Sequence, residues 1–181
     1  MTNILPAIRS LKDFEKLIGS PYKKVVLLDI HIGNLASHMK EMRDHGFQVY
    51  IHLDLIKGLA INNEALEYIH QKFKPYGIIT TRGKLINKAK SMKLKTILRV
   101  FLIDSSSVEK SIDMINQTSP DYIELLPGIV PKMIHFYTHT QNVDVIAGGL
   151  IETQQEVNQA IKAGANFVTT CLLYTSDAAD D

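Results

Sequence analysis

Short apolar runs rich in β-branched residues recur along this chain, separated by segments with helical spacing, and that alternation limits the folds open to it. The runs occupy residues 4–5, 25–28, 48–53, 77–80, 96–103, 122–126, 143–147 and 166–169. Between them lie "LKDFEKLIG", "LASHMKEMRDHG", "NEALEYIHQKF", "LINKAKSMK", "VEKSIDMINQT", "IVPKMIHFYTHT" and "QQEVNQAIKAG". Leu11, Phe14, Leu17 and Ile18 stand at i, i+3, i+6 and i+7, and Val108, Ile112 and Ile115 repeat the pattern. The runs are apolar throughout rather than alternating, as parallel strands covered on both faces should be. Gly19, Gly46 and Gly164 close helical segments, while Ser106-x-x-Glu109 and Thr153-x-x-Glu156 read as capping boxes that open them. Eight strands with seven intervening helices predict an α/β chain forming a single (β/α)8, TIM-barrel-like domain that lacks its last helix. A doubly wound open sheet is the competitor, but no GxGxxG follows the first run.

At 181 residues the chain holds one sizeable core, and the alternation covers residues 1–170. The end, "CLLYTSDAADD", departs from the pattern and resembles the translated read-through of a transposase sequencing adapter; a short acidic tail is the alternative. Setting aside its acids, Asp177, Asp180 and Asp181, leaves 16 acids against 20 cations, a net of +4 in place of +1. Cys171, the lone cysteine, excludes an internal disulfide framework. The seven histidines form neither an HExxH nor a zinc spacing, so no metal site is expected. No nucleophile elbow or triad pattern appears, so no catalytic residue is assigned. No apolar run approaches the roughly 20 residues of a membrane span, and no signal peptide opens the chain, which makes a cytoplasmic protein with no membrane partner the expectation.

In a parallel barrel the functional face lies at the strand C-termini, and the residues there are polar. Arg9 follows the first run, Asp29 and His31 the second, His52 and Asp54 the third, and Thr80, Thr81 and Arg82 the fourth. Arg99 and Asp104 belong to the fifth, Glu124 to the sixth, Gly148 and Gly149 to the seventh, Thr169 and Thr170 to the eighth. The "AGGLIETQQE" stretch offers glycines that let a ligand approach the backbone, then a helix N-terminus that favours an anion. Together with Thr169 and Thr170 it predicts a phosphate site; a tight turn without ligand is the alternative. Arg82 and Arg99 suit phosphate oxygens, or pair with a carboxylate such as Glu124 or Asp104. Asp29, His31, His52, Asp54 and Glu124 suit a polyol, acid–base chemistry or structural ion pairs.

From Tyr68 to Val100 there is no carboxylate, yet the segment carries nine of the chain's 20 cations, among them Lys84, Lys88, Lys90, Lys93 and Lys95. Such a face fits a polyanion, or a solvated lysine-rich helix.

The blocks "ILPAIRSLKDFEKLI", "VVLLDIHIGNL", "HLDLIKGL", "GIITTRGKLI", "RVFLIDSSSVEKSI", "PDYIELLPGIVPKMI" and "IAGGLIETQQEVNQAIKAGANFVTT" resemble the glycerol-3-phosphate-responsive antiterminators of bacterial glycerol uptake operons. The resemblance implies a barrel that binds glycerol 3-phosphate as effector, without a cofactor. It then acts on leader mRNA so that transcription passes a terminator, as a regulator rather than an enzyme. It also implies phosphate contacts from Gly148, Gly149, Thr169, Thr170 and Arg82, and hydroxyl contacts from Asp29, His31, Asp54, Glu124 and Arg99. Lys84, Lys88, Lys90, Lys93 and Lys95 would contact RNA. Past Thr170 the family continues with a Ser-Asn-like turn and a short helix, where this chain has its adapter-like tail. A phosphosugar-type enzyme using Asp54 or Glu124 is the alternative, and a homodimer is left open.

Overall fold

The structure, a computed structural model, describes residues 3–171. Eight strands alternate with seven helices: β1 (Ile4–Ile8), α1 (Leu11–Glu15), β2 (Lys24–Leu27), α2 (Ile32–Asp44), β3 (Gln48–His52), α3 (Asn63–Phe73), β4 (Gly77–Thr80), α4 (Gly83–Ser91), β5 (Lys95–Phe101), α5 (Ser105–Thr118), β6 (Tyr122–Leu126), α6 (Pro131–Thr140), β7 (Asp144–Gly148), α7 (Gln154–Lys162) and β8 (Phe167–Thr170). A single 3-10 turn, Leu53–Leu55, follows β3. All strands run parallel in sequence order, and β1 closes on β8 through Ile4↔Val168, Leu5↔Thr169 and Pro6↔Thr170. That closure makes the fold a TIM-like barrel and removes the open sheet. The expectations for residues 172–181, the adapter-like tail and the absent final helix, lie outside the described residues.

Local chemistry adjusts two expectations. Helix α5 starts at Ser105, and its capping box is Asp104 with Ser107 rather than Ser106 with Glu109. The Asp104 carboxylate accepts from Ser107 N at 2.8 Å while Ser107 Oγ accepts from Asp104 N at 3.0 Å, because Asp104, not Ser106, holds the extended backbone of an N-cap residue. Helix α1 ends at Glu15, so the apolar stripe does not keep helical register: Leu17 is buried but Ile18 is 43% exposed. The second box stands where the sequence places it, on Thr153 and Glu156.

Two apolar shells result. The larger packs the outer faces of the strands against the helices, with Phe14, Leu35, Met39, Ile69, Ile86 and Tyr137 buried. The smaller fills the barrel. Neighbouring strands are staggered along the axis, so side chains facing inward from alternate strands share a layer. Following the registers round the barrel gives, from the N-terminal end upward, Lys24, Gly77, Tyr122 and Phe167; then Leu5, Tyr50, Ile97 and Ile146; then Val26, Ile79, Glu124 and Thr169; then Ala7, His52, Arg99 and Gly148. Acidic, imidazole and guanidinium groups therefore enter the interior only in the two layers beneath the C-terminal mouth.

The lower layers are close-packed. A Cβ on Gly77 would lie 2.5 Å from the Lys95 carbonyl oxygen and 2.6 Å from the Tyr50 ring. We expect Gly77→Ala to lower unfolding free energy by about 1–3 kcal/mol through overpacking, read as a lower urea midpoint. An unchanged midpoint would show that this layer has slack.

Candidate functional site

A cavity of about 460 Å³ opens at the C-terminal mouth. That size suits a small molecule. Its apolar lining comes from Ala7, Val26, Leu28, Leu55 and Leu126, and its polar groups are Arg9, Arg99, Glu124, Thr169 and Thr170, with Glu152 exposed at the rim. The turn after β7 forms one side. Gly149 (φ 74°) and Leu150 (φ 59°) both take the left-handed conformation there, and Asp29 (φ 51°) does so after β2. Non-glycine residues held in that region cluster at functional sites because the surrounding structure has to sustain their strain.

The floor is a buried charge pair. Arg99 Nε donates to Glu124 Oε2 at 2.8 Å, and Thr169 Oγ1 donates to Glu124 Oε1 at 2.6 Å. The Glu124 side chain is 3% exposed and that of Arg99 15%, so each relies on the other for charge compensation. Gly148 makes this packing feasible: a Cβ there would lie 2.5 Å from Thr169 Oγ1 and 2.6 Å from Glu124 Oε1.

His52 is 2% exposed, and neither ring nitrogen has a hydrogen-bond partner. Burial, aided by the nearby Arg99 charge, pushes its pKa down to about 4 against the opposing pull of the Glu124 and Asp54 carboxylates. The ring is thus neutral at physiological pH. Asp54, in the 3-10 turn, accepts from Thr80 Oγ1, Thr81 N and Thr81 Oγ1, each at 2.7 Å. Burial opposes its ionisation, but those hydrogen bonds outweigh burial and hold its pKa below the ordinary value.

The candidate residues separate accordingly. Gly149, Thr169, Thr170, Arg99 and Glu124 meet at the cavity, with Gly148 behind its floor. Asp29 approaches only through Arg9, whose Nε donates to its carboxylate at 2.8 Å. His31 caps α2, accepting from Gly33 N at 3.0 Å. Arg82 occupies the N-cap position of α4 without a side-chain cap, and its guanidinium donates to the Ile61 carbonyl at 2.6 Å, pairing with neither Glu124 nor Asp104. His31, Asp54 and Arg82 do not line the cavity. Arg9 does, although the sequence offered only its place at a strand end. The N-terminus of α7 is partly self-satisfied, because Glu156 Oε2 accepts from Glu152 N at 2.8 Å and Thr153 N at 2.9 Å. Those bonds hold the Glu156 carboxyl below its ordinary pKa.

The basic segment also divides. Lys88 pairs with Glu67, Lys95 pairs with Asp121 at 3.3 Å, and Lys90 Nζ donates to the Thr118 and Ser119 carbonyls at 2.9 and 2.6 Å. Lys84 and Lys93 are exposed, and no ion pair or side-chain hydrogen bond is formed by either among the described residues. Among those residues no group of three or more His, Cys, Asp or Glu could hold a metal ion, and no helix is long and apolar enough to cross a membrane.

Residues 4–173 match the family model for the glycerol-3-phosphate responsive antiterminator. The crystal structure of a glycerol uptake operon antiterminator regulatory protein from Listeria monocytogenes is 40% identical, with 97% of this chain and 95% of that one covered at a TM-score of 0.93. An antiterminator-related protein from Thermotoga maritima is 31% identical, with 94% and 95% covered at a TM-score of 0.83. Escherichia coli K12 YgcP is 29% identical over 168 residues, 91% of this chain and 88% of that protein.

Glu124→Ala strands Arg99 and should cost about 3–5 kcal/mol in chemical denaturation, whereas a loss under 1 kcal/mol would show Arg99 to be solvated without its partner. His52 in the unfolded chain takes up its proton near pH 6.5, while in the folded protein it stays neutral down to about 4. The unfolded state therefore binds protons first, and stability should fall as pH drops through that window, by at most about 3 kcal/mol. His52→Leu should flatten that part of the pH–stability curve, and an unchanged slope would exclude the imidazole as its source.

Proposed function

The chain belongs to the glycerol-3-phosphate responsive antiterminator family, and from that premise we propose that it is a regulator of glycerol uptake genes that binds glycerol 3-phosphate in the mouth of the barrel and, so loaded, binds operon leader mRNA. The observation that carries the ligand part is the cavity itself, with a guanidinium at its rim and a hydrogen-bonded polar floor. The phosphate lies against the Gly149 turn, Thr169 and Thr170, with Arg9 rather than Arg82 supplying the cation. The glycerol end points down toward Arg99 and Glu124.

The enzyme alternative would use Asp54 or Glu124 as acid or base. Asp54 already accepts three hydrogen bonds from Thr80 and Thr81, and Glu124 is held by Arg99 and Thr169. Carboxylates occupied in that way favour binding over proton transfer. Cytoplasmic location suits both proposed partners. Coupling requires only that the effector bind the RNA-competent state more tightly than the other.

On the RNA side, Lys84 and Lys93 are free to meet phosphates, whereas Lys88, Lys90 and Lys95 have partners within the fold. In gel-shift titrations with a glycerol-operon leader RNA, glycerol 3-phosphate should strengthen binding. The double variant Lys84→Gln, Lys93→Gln should bind more weakly and lose up to about two units from the slope of log affinity against log salt. RNA binding that is absent with and without glycerol 3-phosphate would sink the reading and return attention to turnover of phosphorylated substrates.

A further inference from the structure

We infer that the N-terminal end of the barrel, opposite the cavity, is the face that grips unpaired RNA, its lysines holding phosphates and two tyrosines receiving bases. The inference rests on the RNA reading above and deepens it, naming the surface and the single-stranded form of the partner.

Charge separates the two ends. In a parallel barrel every connection from a helix into a strand lies at the N-terminal end, and every connection from a strand into a helix lies at the mouth. The seven helix-to-strand connections carry Lys16, Lys23, Lys74 and Lys93 against one carboxylate, Asp121. Lys24 and Lys95 begin β2 and β5 on the same end, against Asp144 at the start of β7. Asp121 is already engaged, accepting from Thr96 N and Thr96 Oγ1 and pairing with Lys95. Lys23, Lys74 and Lys93 are exposed, and no ion pair or side-chain hydrogen bond is formed by any of them among the described residues. The seven connections at the mouth carry three cations, Arg9, Lys57 and Arg82, against four carboxylates, Asp29, Asp54, Asp104 and Glu152. A polyanion is therefore drawn to the N-terminal end.

Aromatic rings stand among these lysines. Tyr76 before β4, Tyr122 at the start of β6 and Phe167 at the start of β8 are partly exposed and pack against the inner core. Tyr76 meets the buried Tyr50 edge-on at 5.3 Å between ring centres, and Tyr122 meets Phe167 at 6.0 Å. Lys24 Nζ lies 5.2 Å from the centre of the Tyr76 ring, and Lys95 is within electrostatic reach of both tyrosines. Among the described residues neither the Tyr76 nor the Tyr122 hydroxyl makes a hydrogen bond. Each is free to donate to or accept from a nucleotide. Lysines alone would hold any polyanion, so the rings decide which one fits. A duplex keeps its bases stacked inside, whereas an unpaired strand can lay bases on aromatic side chains while its phosphates meet cations. Effector and RNA then occupy opposite ends of the barrel and do not compete for one surface.

Gel-shift titration of the full chain at saturating glycerol 3-phosphate tests this, with an unpaired segment of glycerol-operon leader RNA and the same segment annealed to its complement. The wild-type protein should bind the unpaired strand roughly ten-fold or more tightly than the duplex. The triple variant Lys23→Gln, Lys74→Gln, Lys93→Gln should weaken that binding roughly ten-fold and lower the salt slope by about two units. Its calorimetric affinity for glycerol 3-phosphate should stay at the wild-type value. The double variant Lys57→Gln, Lys132→Gln, which removes cations at the mouth, should leave RNA binding unchanged. If the triple variant binds RNA as the wild type does, the docking face is wrong while the antiterminator reading stands. Equal affinity for duplex and unpaired strand would overturn the role of the tyrosines. If the wild-type protein binds no RNA with or without glycerol 3-phosphate, the functional reading fails and the face falls with it. Photo-crosslinking of the wild-type protein to leader RNA carrying 4-thiouridine gives a second test that does not depend on a variant folding. Cross-links should map to Tyr76 or Tyr122, and cross-links confined to mouth residues such as the exposed Phe101 would overturn the inference.

Discussion

Closure of the sheet between β1 and β8 is the constraint on which the other features depend. Pairing Leu5 with Thr169 joins the first strand to the eighth and imposes the stagger that sorts inward side chains into layers. Without it Thr169 would not meet Glu124, and Ala7 would not share a layer with His52, Arg99 and Gly148. Among the described residues the same closure leaves no exposed edge strand, so the parallel ladder is fully paired. Layer by layer, the interior passes from aromatic and aliphatic packing at the N-terminal end to ionised and hydrogen-bonded groups at the mouth.

Polar groups near the mouth do two kinds of work. Asp54 ties the 3-10 turn after β3 to the end of β4, His31 caps the helix that follows β2, and Arg82 at the start of α4 reaches the Ile61 carbonyl. These contacts shape the rim without entering the cavity. Arg99, Glu124 and Thr169 form a floor whose members compensate one another's burial, so its charge is nearly neutral in sum although its parts are not. Arg9, exposed and paired sideways with Asp29, places a guanidinium at the rim. A rim guanidinium above a self-compensated floor suits reversible binding of a small anionic ligand.

The lysine-rich segment shows how composition and surface differ. Its run of cations is continuous in sequence, but tertiary neighbours neutralise part of it: Glu67 from α3 faces Lys88, and Asp121 before β6 faces Lys95. Lys90 instead reaches the carbonyls at the C-terminal end of α5, where a cation complements the helix dipole. The net basic surface is narrower than the sequence suggests, because three of its lysines are held by partners within the fold.

By itself the sequence determined the parallel β/α order, the positions of the strands to within a few residues, the Thr153 and Glu156 box, and the face on which polar residues gather. Those features follow from hydrophobic period and short-range hydrogen bonding, both of which act between near neighbours in the chain. It also left Arg99 with two readings, a ligand contact or an ion pair with Glu124, and only the β5–β6 register brings that pair together. Which strand-end residues converge was beyond it. Arg9 and Arg82 look alike in sequence, yet Arg9 lines the cavity while Arg82 is drawn to the Ile61 carbonyl, and Asp54 turns toward its threonines. The unpartnered state of His52 was equally hidden, because it depends on what three other strands place around the ring. Convergence, pairing and burial are set by closure and stagger among residues far apart in the chain, so only the tertiary structure decided them.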